Sequence, residues 1–374
     1  MKCPLWIVAS LAVVIMIGNA SAETSTVSHA DSFSKEGLFK ADVSTLKDTQ
    51  LVAHPDVPLD PTKNVLWCGT LQLAWNEAIG LVGEKLHFVN QPPMVDLLNQ
   101  EDFTGADLDA DSYVALADFE RNHVEAEIRA ALEKTFHGAA SPELIPPAPL
   151  DPGRDDFLAY AYLYKNLSFP EPFEDNVPIA FDGHKVKNFG FFENNSQLDD
   201  GVFGQVQIYD YQSEDNFIIK LKTKSPGDEL ILAKVLPGAT LQGTIASVLK
   251  RIESQGNIIY ASEHDALAIP KLNFDLRGDF PALEGLILKP GPNAKVKNLQ
   301  VSAVKQLVRF QLNEKGAILK SEAVIAMVGA MASPSKPYLM IFDSPFLILM
   351  KRANSDRPYF ALWVGNASLL VPDK

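Results

Sequence analysis

The sequence predicts an α+β fold, with mixed or antiparallel sheets and helices packed around them, on three observations. Short segments rich in aromatic and β-branched residues alternate in character at 157–164, 181–192, 204–211 and 359–364. Two stretches, 64–82 and 240–252, instead place apolar residues at helical spacing. The two kinds of segment are interleaved, with no internal repeat and no Gly/Ser-rich or charge-rich linker between them. With 374 residues and 47% hydrophobic composition, the chain can bury a large core. We read residues 61–374 as one domain, preceded by a leader (1–22) and an arm (23–60).

The leader is Met1-Lys2, an apolar run from Leu5 to Ile17, and the small residues Ala20-Ser21-Ala22 at cleavage spacing. This is the pattern of a secretory signal, too short and wrongly flanked for a spanning helix, and it predicts a secreted or periplasmic protein. Cys3 leaves with the leader, so Cys68 stands alone and no internal disulfide is expected. The net charge of −14 argues against nucleic-acid binding and against attraction to an anionic membrane surface. Residues 23–60 are polar and turn Pro-rich at Pro55, Pro58 and Pro61, as in a loose arm.

The first strong element enters through the short strand Val65-Leu66-Trp67. It continues as a helix with Leu71, Ala74, Trp75, Ala78 and Ile79 on one face. Two readings compete for Asp107–Asp118. Acids at Asp107, Asp109 and Asp111, with Asp118 at the twelfth position, follow a calcium-loop register. Ser112 stands where the turn needs Gly, and Asp118 replaces the bidentate Glu. The alternative is that Asp111 or Ser112 caps a helix carrying Leu116, Phe119, Val124, Ile128 and Leu132. Further on, Phe157–Tyr164, Phe217-Ile218-Ile219, Glu229–Leu236 and Ala268–Leu276 read as strands, and Thr240 opens a helix with Leu241, Ile245, Val248, Leu249 and Ile252 aligned. The chain closes with a hairpin, Phe346–Met350 and Tyr359–Val364, turning at Asn354-Ser355-Asp356.

Residues 301–350 carry the functional signal. Val304, Val308, Phe310 and Leu312 alternate with Lys305, Arg309 and Gln311 up to the polar break Asn313-Glu314-Lys315-Gly316. About thirty residues rich in small side chains follow, a loop length that is uncommon in a compact domain and usually functional or disordered. The segment resembles the serpins: Val301–Gly316 is similar to the strand and hinge leading into a serpin reactive loop, and Phe342–Leu349 to the strand after it. The Asn64 strand and helix, the Phe157–Lys165 strand with Pro172-Phe173, the Leu236-Pro237 strand end and Pro270-Lys271 resemble further serpin elements in the same order. The chain departs from the family at Cys68-Gly69 and Leu71, at Gln306 where a histidine is usual, and at Ile318-Leu319-Lys320 in place of a run of tiny residues.

The resemblance implies a protease inhibitor that is cut in the loop 317–341 and inserts the upstream part as a new strand. The alternative is a non-inhibitory binding or structural protein on the same scaffold. Glu314, Lys315, Gly316, Ala317, Leu319, Ser321 and Ala323 would form the hinge, with Ala317, Leu319, Ser321 and Ala323 on the inserting face. The scissile bond would lie among Ala330, Met331, Ala332 and Ser333, since the sixteenth residue after Glu314 is Ala330 and Pro334 blocks a cut before it. No Arg or Lys lies there, which implies an elastase-like or subtilisin-like partner and a monomeric inhibitor.

Enzymatic readings find little support. The sequence has no Gly-x-Ser-x-Gly, no His-Glu-x-x-His, no phosphate-cradling glycine loop and no cysteine pair. His123 with Glu120 and Glu127 offers a metal reading, against the commoner exposed helix histidine. Asp199-Asp200 and Glu214-Asp215 read as solvated turns rather than a catalytic carboxylate pair, and Cys68 as a buried, inert thiol. No enzyme activity, metal or cofactor is therefore expected. Asn166, Asn194 and Asn366 begin glycosylation sequons.

Overall fold

The computed structural model describes residues 37–138, 140, 142–144, 155–192, 200–255, 258–296, 299–316 and 337–373. The leader, most of the loop 317–341 and the Asn194 sequon lie outside the described residues. The α+β expectation holds. A large sheet runs in the order Ile259–Tyr260, Val206–Ser213, Asn216–Leu221, Asp228–Lys234, Phe346–Arg352, Pro358–Val364, Asn64–Cys68 and Thr49–Leu51. Its pairs are antiparallel except the last, which is parallel. A three-stranded sheet holds Phe39–Asp42, Leu272–Asp279 and Lys305–Leu312, and a four-stranded sheet holds Leu339–Ile341, Ala266–Pro270, Asn188–Phe191 and Glu174–Asp175.

The centre of the large sheet is apolar on both faces. Phe346–Met350 and Pro358–Val364 are buried throughout, and their apolar residues belong to one core with Leu241, Ile245 and Val248 of the helix Leu241–Glu253 and with strands of the other sheets. That helix begins as expected, with Thr240 Oγ1 accepting from Gly243 N at 3.0 Å. The expected hairpin forms, with Phe346 opposite Val364 and Met350 opposite Phe360. The expected strand over 301–313 is Lys305–Leu312, in a different sheet from Phe346–Arg352.

Two expectations are corrected. The helix proposed from residue 112 onwards does not exist over its first half: Tyr113–Phe119 is a strand, paired antiparallel with Phe157–Leu163, and the helix is Val124–Phe136. Both faces of Tyr113–Phe119 are covered, one by the helix Thr70–Val82 and the other by Val124–Phe136. Its apolar residues therefore lose the two-residue alternation and mimic a helix. His123, at φ 62, turns the chain between strand and helix. The calcium register fails with it. Asp107 accepts from Thr104 N and Ser355 Oγ, Asp109 pairs with Lys165 and Arg352, and Asp118 accepts from Phe119 N and Asn122 Nδ2. Among the described residues no group of three metal-ligating side chains is found, around His123 or elsewhere. The second correction is the arm: Phe39–Asp42 and Thr49–Leu51 are strands in the two main sheets.

Among the described residues no helix is long and apolar enough to cross a membrane. The chain ends are joined through Asn64, which is fully buried. Its Oδ1 accepts from Gly365 N (2.9 Å) and Asn366 N (3.2 Å), and its Nδ2 donates to Asn366 Oδ1 (2.9 Å) and Ser368 Oγ (2.8 Å). Asn366 in turn donates both amide hydrogens, to Asp48 O and Thr62 O, so this sequon asparagine is committed to the fold. Replacing Asn64 by Ala strands the N–H of the buried Gly365 and that of the half-buried Asn366, and should cost about 3 kcal/mol. A urea melt of the variant checks this, and an unchanged midpoint would show that the amide is not a structural hub.

Candidate functional site: the hinge and its two strands

Helix Thr70–Val82 is the floor of the site. It starts directly after the buried strand Asn64–Cys68, and it ends at Gly83, whose φ of 91 lets its N–H reach Ile79 O at 2.8 Å. Leu71, Leu73, Trp75, Ala78 and Val82 are buried, and Trp75 Nε1 donates to Asn99 Oδ1 at 3.0 Å. The helix packs beneath Tyr113–Phe119 and Phe157–Leu163, and its first turn also reaches the neighbouring strand Lys305–Leu312. There Gln306, 3% exposed, donates from Nε2 to Cys68 O (2.9 Å) and Thr70 Oγ1 (2.7 Å). The departures from the serpin pattern at Cys68-Gly69 and Gln306 thus meet in one contact. Gln306 Oε1 has no hydrogen-bond partner among the described residues.

Among the described residues no ladder joins Phe157–Leu163 to Lys305–Leu312. The two strands share the helix, and Ala161 and Leu163 border the same large core that contains Val308, Phe310 and Leu312. Phe157–Leu163, expected as a strand of the central sheet, pairs with Tyr113–Phe119 alone among the described residues. Arg309 binds Asp275 at 2.7 Å on its own sheet and reaches Glu143 at 3.6 Å, in the segment that follows helix Val124–Phe136. Burial pushes the Tyr162 phenol up to about 12, with Tyr164 and Glu143 adding to the rise.

At the end of Lys305–Leu312 the chain enters the expected hinge. Gly316 N donates to Asn313 O, and Lys315 N to Asn313 Oδ1. Gly316 has φ 89, and a Cβ there would stand 2.6 Å from Leu167 O and Phe169 N, so glycine is required. This close approach is the stitch between hinge and Phe157 strand: Ser168 bridges Gly316, Phe169 N donates to Lys315 O (3.1 Å), and Phe173 N to Glu314 O (2.8 Å). Phe169 and Phe173 anchor the stitch, edge to face at 5.0 Å and packed on Phe189. Glu314 Oε2 lies 2.6 Å from Lys271 Nζ, which also binds Asp175. Burial pulls the Lys271 ammonium down, and the hydrogen bonds to Asp175 and Glu314 outweigh it, for a net rise.

The downstream end of the loop is held separately. Tyr338 N donates to the buried Asp265 (2.7 Å), and the Tyr211 hydroxyl accepts from Leu339 N (3.2 Å). Leu339–Ile341 then runs parallel to Ala266–Ala268. Lys234, 3% exposed, closes this stem with its ammonium on Ile341 O (3.1 Å), Asp343 (2.7 Å), Glu214 O (3.0 Å) and Asp215 (2.9 Å). The Glu214-Asp215 pair is therefore part of a clamp. Of the expected site residues, Glu314, Lys315 and Gly316 come together here, whereas Ala317, Leu319, Ser321, Ala323, Ala330, Met331, Ala332 and Ser333 lie outside the described residues. Lys271, Lys234, Asp265 and Tyr211 were not foreseen. Only Lys234 offered a signal, a charge at the end of the apolar run in its strand.

No family model matches the sequence, and no curated protein matches it. In solved structures the chain is similar to human thyroxine-binding globulin (13% identity, TM-score 0.46), covering 82% of this chain and 92% of that one. It is similar to mouse protein-Z dependent protease inhibitor (14%, TM-score 0.47; 81% and 91% covered) and to uncleaved ovalbumin (11%, TM-score 0.47; 82% and 94% covered). These proteins are serpins.

Two outcomes test the site. Lys271→Met leaves the half-buried Glu314 carboxylate with only the exposed Lys315 ammonium, 3.7 Å away, and should cost about 2 kcal/mol of stability, the pair being only partly screened from water. An unchanged thermal midpoint would show that the pair does not hold the hinge. Cys68 is 8% exposed and burial pushes its thiol up, so native protein at pH 8 should label with a maleimide far more slowly than urea-unfolded protein. Equal rates would mean that the floor of the site opens readily.

Proposed function

We propose that this chain is a secreted, serpin-like protease inhibitor that acts as a bait substrate, trapping a protease rather than catalysing a reaction itself. The observation that carries the reading is the arrangement at Gly316: the turn that leads into the small-residue stretch from Ala317 is bonded to residues 168–173, beside two strands that share a floor and, among the described residues, lack a ladder between them. A new strand from Ala317 onward would enter between Phe157–Leu163 and Lys305–Leu312 and supply that ladder. In the trapped state the serine oxygen of the protease replaces the scissile amide nitrogen on the carbonyl carbon. The downstream chain leaves as an amine carrying the proton, and the ester persists because insertion carries the enzyme away.

A second reading, a non-inhibitory binding or structural protein, is favoured by the stitching of Glu314, Lys315 and Gly316 to residues 168–173. Insertion has to break those bonds. The bulky Ile318-Leu319-Lys320 adds to that resistance. Elastase-like or subtilisin-like protease should nick the native protein between Ala330 and Ser333. An inhibitor should leave a denaturant-resistant adduct and a marked rise in melting temperature, and Ala317→Arg should abolish the adduct while sparing the nick. Clean cleavage with no adduct and no rise in melting temperature leaves the second reading.

A further inference from the structure

Residues 39–51 form a strap that covers one outer edge of each main sheet. Phe39–Asp42 lies parallel to Phe274–Arg277, outside the three-stranded sheet, and Thr49–Leu51 lies parallel to Asn64–Leu66, outside the large sheet. The turn between them is fixed by Asp42, whose carboxylate accepts from Ser44 N (2.9 Å) and Ser44 Oγ (2.6 Å), while Thr45 Oγ1 donates to Asp42 O (2.7 Å). Lys40 sits 3.0 Å from Asp275, a carboxylate it shares with Arg309 on the next strand. Leu51 lies so close to the three-stranded sheet that a Cβ on Gly278 would stand 2.7 Å from its Cδ2.

The covered edge is hazardous when bare. Leu272–Asp279 is eight residues long, and its Phe274 and Leu276 are fully buried in the folded chain. A long strand with apolar side chains and open main-chain groups is a template for another chain. The register and the Lys40–Asp275 pair specify what fits there, namely the Phe39–Asp42 segment. The same segment of a second copy satisfies the edge equally well, which is the condition for exchange between molecules.

We propose that residues 39–51 are an intramolecular edge guard, and that the Phe274–Arg277 edge is a strand-binding site whose second ligand is the same strap from another copy of this chain. The site is distinct from the gap beside Gly316 and does not depend on the inhibitor reading. The guard commits each molecule to its own strap at low concentration and so keeps it monomeric.

The test uses the full chain carrying Ala41→Pro, which removes a main-chain N–H in the middle of the strap strand, opposite Leu276, together with a fluorescent peptide of residues 37–51 as probe. The variant, whose own strap cannot serve a second copy, should bind the peptide, and should capture wild type, which supplies an intact strap, in a complex that excess peptide dissolves. Wild type should bind the peptide at least about tenfold more weakly. A peptide carrying Lys40→Glu should also lose about tenfold, through repulsion from Asp275. A variant with native near-ultraviolet dichroism that captures neither wild type nor the peptide would overturn the proposal, as would equal peptide binding to wild type and variant. Should Ala41→Pro fail to fold, the full chain with Lys40→Glu takes its place: faster peptide uptake than wild type supports the guard, and equal uptake rejects it.

Discussion

A single buried amide ties together parts of the chain that no ladder joins. Gln306 belongs to the three-stranded sheet, yet its Nε2 is spent on Cys68 O and Thr70 Oγ1, at the start of the helix that supports the neighbouring strand pair. Two sheets therefore share a floor and are fixed relative to it from below. Above, Arg309 reaches Glu143, and at the end of the strand the hinge bonds to residues 168–173. Buried polar contacts of this kind are costly to leave half-made, so the spacing of the two strands follows from where those contacts can all be satisfied.

Much of this was legible in the sequence, and the parts that were not have a common cause. Helix Thr70–Val82, helix Leu241–Glu253 and the hairpin from Phe346 to Val364 each carry a pattern complete within a few residues, one face or one alternation at a time. The turn Asn313–Gly316 was legible too, because turn residues interrupt an alternating strand there. Tyr113–Phe119 was misread because cover on both faces erases the alternation that marks a strand. Phe39–Asp42 was missed because four residues at a sheet edge carry almost no periodicity.

The ion pairs were out of reach for a different reason. Lys271 and Glu314 are 43 residues apart, and Lys234 and Asp343 are 109 apart. In each case a lysine within buried, apolar sequence is ambiguous until the fold brings its acid. The same holds for the cluster in which Lys165 lies within 3.0 Å of both Asp109 and Asp228, with the Tyr359 hydroxyl also donating to Asp228. Such residues look like solvent-facing positions in one dimension and are interior ones in three.

The clamp around Lys234 makes the two ends of the long loop mechanically unequal. Upstream, Gly316 is secured by main-chain bonds to residues 168–173, with the Glu314–Lys271 pair beside them. Downstream, the chain is pinned by a buried ammonium that two main-chain carbonyls and two carboxylates neutralise together, and by a buried aspartate that holds Tyr338 N. Residues 338–343 are thereby fastened by side chains from three separate stretches, around Tyr211, Lys234 and Asp265, so their place depends on distant parts of the chain as much as on their own short strand.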